Sequence, residues 1–219
     1  MNSPAAGKRR RAEAVDRERV LDAAATLFRE QGFEKTTLKE IAEACGMLPG
    51  SLHYRYASKE LLLVDMMRLA MTRVTQAAVE ACAGIDDPLE QVRRTLLAHL
   101  HTAVAGSDTV YVLLFDWRSL GGQARDDVID LRDRYEDQWM YMLKQLRNRG
   151  LVREDIDLHL LRLVGLGAIN WVATWYRADG RYSLADIGNF IWQMISDAVL
   201  TPEARQNHQA RYPQPRKPA

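Results

Sequence analysis

The chain has 219 residues, of which 47% are hydrophobic and 27% are charged, and its formal net charge at pH 7 is +1. This composition is that of a folded globular protein and excludes an intrinsically disordered chain. The near-neutral charge does not by itself indicate a nucleic-acid partner. Two cysteines, Cys45 and Cys82, match no metal-site spacing, and we interpret them as reduced thiols of a cytoplasmic protein.

The sequence carries no targeting or membrane signal. Its basic N-terminus is not followed by an apolar segment, which argues against a secretory signal. The longest uncharged apolar run, Leu163–Tyr176, has 14 residues, whereas a membrane span needs about 20. We therefore expect a cytoplasmic protein without membrane contact.

The chain begins with a polar segment that contains the basic run Lys8–Arg11. We predict a flexible arm over residues 1–15, which is solvated in the free protein and compatible with phosphate contact on DNA. The first helix is expected from about Asp16 to Gln31, because its apolar residues recur at spacings of three, four and seven. Gly32 then suits a helix stop.

Two short helices follow this first helix. Thr37 and Glu40 have the spacing of a capping box, so a second helix is expected to begin there and to end at Gly46. Pro49 suits the first turn of a third helix. Ser58 is the expected cap of a long fourth helix.

Helical periodicity continues to about residue 200, and only the segment TVYVLLF, residues 109–115, reads equally well as a strand. The predicted fold class is all-α. We expect a three-helix, helix-turn-helix DNA-binding domain over residues 16–62 and a larger helical ligand-binding and dimerisation domain over 63–200. Residues 201–219, which contain four prolines, are expected to form a flexible tail.

The segment from Thr37 to Tyr56 has the pattern of a helix-turn-helix, in which the second helix enters a DNA major groove. Leu52 and Tyr56, four residues apart, are expected to face inward. Tyr54 and Arg55 would then face outward, where they suit phosphate and guanine. The alternative is an ordinary helical hairpin within a bundle, with both tyrosines packed in the core.

The stretch from Arg19 to Leu62, with the segments VLDAAATLFREQGFEKTTLKEIAEACGM and PGSLHYRYASKELL, resembles the TetR family of bacterial transcription regulators. The residues that match in register are Phe28, Gly32, Phe33, Thr37, Ile41, Ala42, Gly46, Lys59 and Glu60. The resemblance implies double-stranded DNA as a partner. It also implies a three-helix DNA-binding domain whose last short helix enters the major groove.

The resemblance also implies which residues contact DNA. These residues are Thr36, Thr37, Pro49, Gly50, Ser51, His53, Tyr54, Arg55 and Lys59. His53 stands where the family usually has tyrosine, so its contact stays open between DNA binding and plain packing. Tyr56 stands where the family usually has phenylalanine, a mild change in the core.

Two apolar helices near the C-terminus suggest a homodimer, because they must be buried on most faces. By resemblance they would pack against their copies as a four-helix interface. The candidate interface residues are Leu163, Leu166, Ile187, Phe190, Ile191 and Met194. The alternative is that these helices fill only the core of their own subunit.

Aromatic and methionine residues in the second half suggest an apolar ligand cavity. The candidate lining residues are Tyr111, Phe115, Trp117, Arg118, Tyr135, Trp139, Met142, Asn170, Trp171 and Trp175. Arg118, Arg132 and Arg134 raise the hypothesis of a basic mouth that suits an apolar acid or an acyl-CoA. The alternative is that these rings simply form the core.

The most consistent function is a ligand-responsive transcriptional regulator, a homodimeric repressor that binds a palindromic operator and is released by a small apolar or acyl-type effector. The second interpretation is a dimeric DNA-binding protein without a small-molecule effector. A helical-bundle enzyme is the remote one, because no Glu-x-x-His pair, phosphate loop or nucleophile elbow is present. We expect no cofactor, no metal site and no catalytic residue.

Overall fold

The computed structural model describes residues 4–105 and 108–212, and the side chains of residues 16–104 and 108–212. These residues form ten α-helices and one short 3-10 helix, and the only bridge between extended segments among them joins Val152 and Leu200. The helices are α1 (Pro4–Gln31), α2 (Leu38–Ala44), α3 (Pro49–Arg55), α4 (Lys59–Ala81), α5 (Pro88–Ala105), α6 (Asp108–Phe115), the 3-10 helix (Asp116–Ser119), α7 (Gly122–Asn148), α8 (Leu158–Trp175), α9 (Leu184–Val199) and α10 (Pro202–Arg211). The all-α fold class is confirmed, and TVYVLLF lies in α6 rather than in a strand.

The chain divides into two compact units. Unit 1 takes Met1–Met71 and Gly106–Leu131, and unit 2 takes Thr72–Ala105 and Arg132–Ala219. Helices α4 and α7 therefore contribute residues to both units. The boundary on α4 lies later than the residue-62 boundary expected from the sequence, because α4 continues without a break through that position.

Unit 1 is built on α1, which packs against α2 and α6, while α2 packs against α3. Its core contains the apolar stripe of α1 and the inward faces of α2 and α3, including Phe28, Ile41 and Leu52. The turns after α1 and α2 use glycine at positive φ, +86° at Gly32 and +68° at Gly46. Left-handed backbone favours glycine, so these residues end both helices.

Helix α1 begins at Pro4, which corrects the prediction of a helix start near Asp16 and a loose arm before it. Alanine, arginine and glutamate dominate residues 5–15, and all three are strong helix formers. Pro4 at the first helical position costs no backbone hydrogen bond. The side chains of the basic run Lys8–Arg11, and residues 1–3 altogether, lie outside the described part of the chain.

Unit 2 is held together by α5, which packs against α8 and α9. A Cβ atom added at Gly188 on α9 would lie 2.5 Å from Leu97 Cδ2 of α5. Glycine at this position therefore permits a close approach of the two helices.

The tail expected after residue 200 contains helix α10, which corrects the prediction of a flexible segment. Thr201 caps the helix by accepting a hydrogen bond from the Ala204 amide, and Pro202 fills its first turn. Ala204 and His208, one turn apart, are both buried. Residues 213–219 lie outside the described part of the chain.

None of the helices in the described residues has the length and hydropathy that a membrane span requires.

Candidate DNA-binding surface and effector cavity

Helix α3 presents a short polar surface on unit 1. Leu52 is fully buried and Tyr56 is 7% exposed, so both anchor the helix as expected. Tyr54 is 96% exposed. The remaining outward residues of the segment are Gly50, Ser51, His53 and Arg55. The exposed side chains are hydroxyl, imidazole and guanidinium groups, which are suited to phosphate and base edges.

The end of α3 is fixed to α4 and α1 by a partly buried polar cluster of Tyr56, Asp65 and Arg17. The Tyr56 hydroxyl donates to Asp65 Oδ2 at 2.6 Å, and Arg17 donates to both oxygens of the same carboxylate at 2.6 and 2.8 Å. Burial alone would raise the pKa of Asp65, but the hydrogen bonds from Arg17 and Tyr56 outweigh it and lower that pKa. Burial and the Asp65 carboxylate raise the pKa of the Tyr56 hydroxyl, which therefore stays protonated.

Two neighbouring threonines before α2 differ in the exposure of their side chains. Thr37 is exposed and completes a capping box with Glu40, as the spacing predicted. Thr36 is 1% exposed, and its hydroxyl donates to the Gly32 carbonyl at 2.9 Å. This burial removes the Thr36 side chain from the expected contact surface and leaves only its backbone to reach phosphate.

Lys59, at the start of α4, lies at the α1–α2 turn. Its ammonium donates to the carbonyl oxygens of Phe33 at 2.6 Å and Glu34 at 3.2 Å, and lies 4.3 Å from the centre of the Phe33 ring. A lysine has three donors, so this structural role leaves one donor for a phosphate. Ser58 accepts a hydrogen bond from the Leu61 amide and caps α4 as expected.

Leu48 was missed by the sequence analysis. It precedes α3 as the N-cap residue without a side-chain cap, and it is 77% exposed. An exposed apolar side chain beside an otherwise polar helix suits a thymine methyl group. The sequence signal was the absence of Ser, Thr, Asp or Asn at a position that usually caps a helix.

A cavity of about 570 Å³ lies within unit 2, between α4, α5 and α7. It is lined by Thr75, Ala78, Val79, Cys82, Gln91, Thr95, Tyr135, Asp137, Gln138, Trp139, Tyr141 and Met142. The predicted residues Tyr135, Trp139 and Met142 are among them. Thr95, Tyr135 and Trp139 are buried and form its floor, whereas Val79 and Tyr141 are exposed at its rim. A volume of several hundred Å³ is typical of small-molecule sites.

A buried polar network lies behind the floor of this cavity. His99 is bonded to the Tyr135 hydroxyl through Nδ1 at 2.6 Å and to Asn170 Oδ1 through Nε2 at 2.7 Å. Because the Asn170 oxygen only accepts, Nε2 carries the proton and Nδ1 accepts from Tyr135. Burial lowers the pKa of His99, so the ring stays neutral at pH 7. Asn170 therefore supports the cavity from behind instead of lining it as predicted.

Four other predicted lining residues lie in unit 1 and do not reach this cavity. Tyr111 and Phe115 on α6 pack against each other with ring centres 4.7 Å apart, and Arg29 of α1 lies 4.8 Å from the Tyr111 ring. Trp117 is stacked by Arg118 at 4.8 Å. These residues are absent from the lining of this cavity because α6 packs on α1, and their ligand role stays a prediction. A basic mouth is also not supported, since no Lys or Arg occurs among the described lining residues.

Trp171 and Trp175, predicted as cavity residues, are 64% and 50% exposed on α8. They continue a stripe of exposed apolar residues at helical spacing. The other members of the stripe on α8 are Leu160, Leu163 and Val164. Both tryptophans face away from the core of their own unit and are absent from the lining of the cavity, so their ligand role stays a prediction.

The predicted dimer residues divide between the surface and the core. Leu163, Phe190 and Met194 are exposed and available to a second copy. Ile187 is partly exposed. Ile191 is 7% exposed and belongs to the core of unit 2. Leu166 lines a second cavity of about 50 Å³ between α5, α7, α8 and α9. Ile191 is buried because α9 packs one face on α5, whereas Leu166 is partly exposed.

Within the described residues, no group of three or more His, Cys, Asp or Glu side chains is arranged to hold a metal ion. The chain combines a helix-turn-helix, whose recognition helix α3 is exposed, with a helical unit that contains a cavity. This combination is typical of DNA-binding regulators.

Comparisons with known proteins agree with this class. The family model described as "Bacterial regulatory proteins, tetR family" matches residues 20–66, and "Tetracyclin repressor-like, C-terminal domain" matches residues 85–199. The HTH-type transcriptional repressor KstR2 of Rhodococcus jostii is 30% identical over 193 residues, which cover 85% of this chain and 92% of that protein. KstR2 of Mycobacterium tuberculosis is 26% identical over 174 residues, covering 78% and 86%.

Among solved structures, AibR in complex with isovaleryl coenzyme A and operator DNA has a TM-score of 0.75 and 26% identity, covering 82% of this chain and 97% of that one. The chain belongs to the TetR family of bacterial transcriptional regulators.

Proposed function

We propose that the protein is a homodimeric repressor that binds a palindromic operator and releases it when an acyl-type effector occupies the cavity of unit 2. The observation that carries this proposal is helix α3, whose outward side chains are free while Leu52 and Tyr56 fix it to its unit. AibR, which binds operator DNA and isovaleryl coenzyme A, supports both the DNA partner and the effector class.

The proposed DNA contacts follow from exposure. Base edges are read by Ser51, Tyr54 and Arg55, with Leu48 against a thymine methyl. The slim start of α3 at Pro49 and Gly50 brings these side chains close to the groove. Thr37 and the third donor of Lys59 hold phosphates, and exposed His53 reaches the backbone beside them.

The exposed apolar stripe on α8, together with Phe190 and Met194 on α9, supports the dimer. Apolar patches of this kind on a soluble chain mark interaction surfaces. In a symmetric dimer two reading helices can meet successive major grooves about 34 Å apart. Such a regulator acts on chromosomal DNA in the cytoplasm, where both cysteines stay reduced, and both thiols are free here.

Effector release requires differential affinity, since a ligand shifts an equilibrium only toward the state that it binds better. The test is selection of bound fragments from genomic DNA, followed by gel shifts of the selected site with and without acyl-CoAs. We expect a palindromic site whose complex dissociates with an acyl-CoA. Binding no tighter than to random DNA contradicts the repressor proposal. Specific binding that no acyl-CoA relieves supports the effector-free alternative.

A further inference from the structure

Unit 2 contains two cavities, and one side chain forms part of the wall of both. The large cavity of about 570 Å³ lies between α4, α5 and α7, and the small cavity of about 50 Å³ lies between α5, α7, α8 and α9. Among the described lining residues, Trp139 on α7 is the only one that the two cavities share. Trp139 is 6% exposed, whereas Val79 and Tyr141 are exposed at the rim of the large cavity. The Trp139 ring therefore lies at the inner end of the large cavity, next to the small one.

The Trp139 ring is held in place by its neighbours. It packs edge-on against the rings of His99 and Tyr135, with ring centres 6.4 and 6.5 Å away. Its indole N–H lies beside the Tyr135 hydroxyl, where it opposes the rise in the pKa of Tyr135 that burial causes. His99 is in turn bonded to the Tyr135 hydroxyl and to Asn170 of α8. Because these contacts fix its orientation, the ring forms a wall between the two cavities.

The small cavity suits aliphatic groups. Its described lining residues are apolar except for Arg162 and Ser196. Arg162 is paired with Glu136, and the Ser196 hydroxyl donates to the Gln193 carbonyl. Apolar cavities stay dry and accept apolar molecules, and a volume of about 50 Å³ holds about two groups of the size of a water molecule or a methylene. The small cavity can therefore take the last carbon atoms of an alkyl chain.

The lining of the large cavity favours an uncharged chain. The described lining residues include no lysine or arginine, and an anionic group buried there would lack a cation, which is costly. The anionic part of a coenzyme A thioester would therefore stay outside the rim, while its acyl chain enters. A chain that enters at the rim ends at the Trp139 ring, and the small cavity lies on the other side of that ring.

We propose that Trp139 sets the maximum length of the acyl chain that the effector cavity accepts, because its ring separates this cavity from the small apolar one. This inference rests on the proposed function and specifies the acyl effector that it names. Trp139 is thus a specificity-determining residue. A smaller side chain at this position joins the two cavities and admits chains that are longer by about two carbon atoms.

Calorimetric titration of the wild type with straight-chain acyl-CoAs, from butyryl-CoA to hexadecanoyl-CoA, tests this selection. Affinity should rise about fourfold with each buried methylene, and it should stop rising at the length at which the chain meets Trp139. In Trp139→Leu this limiting length should increase by about two carbon atoms. Straight-chain alcohols from butanol to dodecanol repeat the series without coenzyme A.

Tyr141→Leu is the matched control, because Tyr141 lines only the large cavity and is exposed at its rim. The same loss of an aromatic ring should leave the limiting length unchanged there. Val92→Ile adds a methylene to the wall of the small cavity. It should shorten the limiting length by about one carbon atom in Trp139→Leu and have no effect in the wild type, where the ring closes the small cavity.

Thermal melting of each variant without ligand checks its fold. Trp139→Phe, for which a smaller increase in limiting length is expected, carries the test if Trp139→Leu does not fold.

A wild-type affinity that rises to the end of the series, or a limiting length that is unchanged in the Trp139 variants, overturns the selection mechanism and leaves the proposed repressor intact. An equal increase in Tyr141→Leu overturns it as well. If the alcohols show the limit and its shift but no acyl-CoA binds, the length limit at Trp139 stands and the acyl-CoA effector fails. If neither series binds, the selection mechanism and the acyl effector of the proposed function both fail, whereas specific operator binding would still stand.

Discussion

Two tyrosines in α3 and at its end show how differently one side-chain type is used two residues apart. Tyr54 projects from α3 almost fully exposed, whereas the Tyr56 hydroxyl donates to the Asp65 carboxylate inside unit 1. The sequence correctly predicted which tyrosine faces inward, because Leu52 and Tyr56 are one helical turn apart. It did not indicate the Asp65 partner, since the bond joins segments whose packing no local pattern encodes.

The two hydroxyls should therefore separate DNA affinity from stability. Tyr54→Phe is expected to weaken operator binding by about threefold to tenfold, the effect of one lost hydrogen bond, without changing the melting temperature. Tyr56→Phe is expected to lower the free energy of unfolding by about 2 kcal/mol, because a hydrogen bond to a charged group is lost. Gel shifts and thermal melts of both variants, with each serving as the control for the other, measure these effects. A stability loss in Tyr54→Phe would contradict its assignment to the surface.

At the scale of whole elements, the helices were predictable where caps and glycines mark their ends. The capping box at Thr37, the turns at Gly32 and Gly46 and the cap at Ser58 all lie where the sequence put them. The errors fell at the two ends of the chain. There the composition was interpreted as a solvated arm and a flexible tail. Helix-forming residues instead extend α1 toward the N-terminus, and tertiary packing stabilises α10.

Helix α10 lies beyond the region that the family models match. His208 packs this helix against α5 and α9. His208 is 6% exposed, and its Nε2 lies 3.8 Å from Glu90 Oε2 of α5. Its ring packs against Trp192 of α9 and Tyr212. Glu90 is itself fully buried and held by Arg93 and Arg94. Neither ring nitrogen of His208 has a hydrogen-bond partner within the described residues.

The docking of α10 should therefore weaken in mild acid. Burial, with a smaller contribution from Arg93, lowers the pKa of His208 below its ordinary 6.5, against the opposing effect of Glu90 and Asp87. The unfolded chain consequently takes up a proton first as the pH falls below about 6.5, so stability declines below that pH and is unaffected well above it. His99, whose pKa is also lowered, acts in the same direction.

His208→Phe isolates the contribution of α10. We expect the variant to be as stable as the wild type at about pH 8, or more stable by about 1 kcal/mol because an unsatisfied polar group is removed. Its loss of melting temperature between about pH 8 and about pH 5 should be smaller than that of the wild type. His101→Phe, at an exposed position on α5, is the matched control. An unchanged pH dependence in His208→Phe would show that His208 does not carry the effect.

For the whole molecule, the decisive feature is the exposed stripe on α8. Sequence hydrophobicity identified α8 as buried on most faces, but it could not divide the apolar residues between the protomer core and a second copy. That division depends on which face meets α5. For this reason the buried Ile191 was assigned to the interface, and the exposed Trp171 and Trp175 were assigned to the cavity.

Trp171→Glu should convert the dimer into a monomer, because it places an unpaired charge at the centre of the apolar stripe. Operator affinity should fall by more than tenfold, since the two reading helices are no longer joined. Analytical ultracentrifugation and gel shifts measure both changes. Val79→Glu adds the same charge at an exposed position on α4 and should remain dimeric. A Trp171→Glu variant that stays dimeric would rule out this face as the interface.

Cys82 on the cavity wall has a practical consequence. Cys82 is partly exposed and its thiol donates to the Gln91 carbonyl, whereas Cys45 is buried and its thiol donates to the Ala42 carbonyl. A bulky maleimide should therefore modify the unaltered protein at a single position, which mass spectrometry can follow over time. A molecule that fills the cavity should slow this modification. The rate at which Cys82 is modified therefore reports whether the cavity is occupied. Effectors could then be ranked before the operator is known.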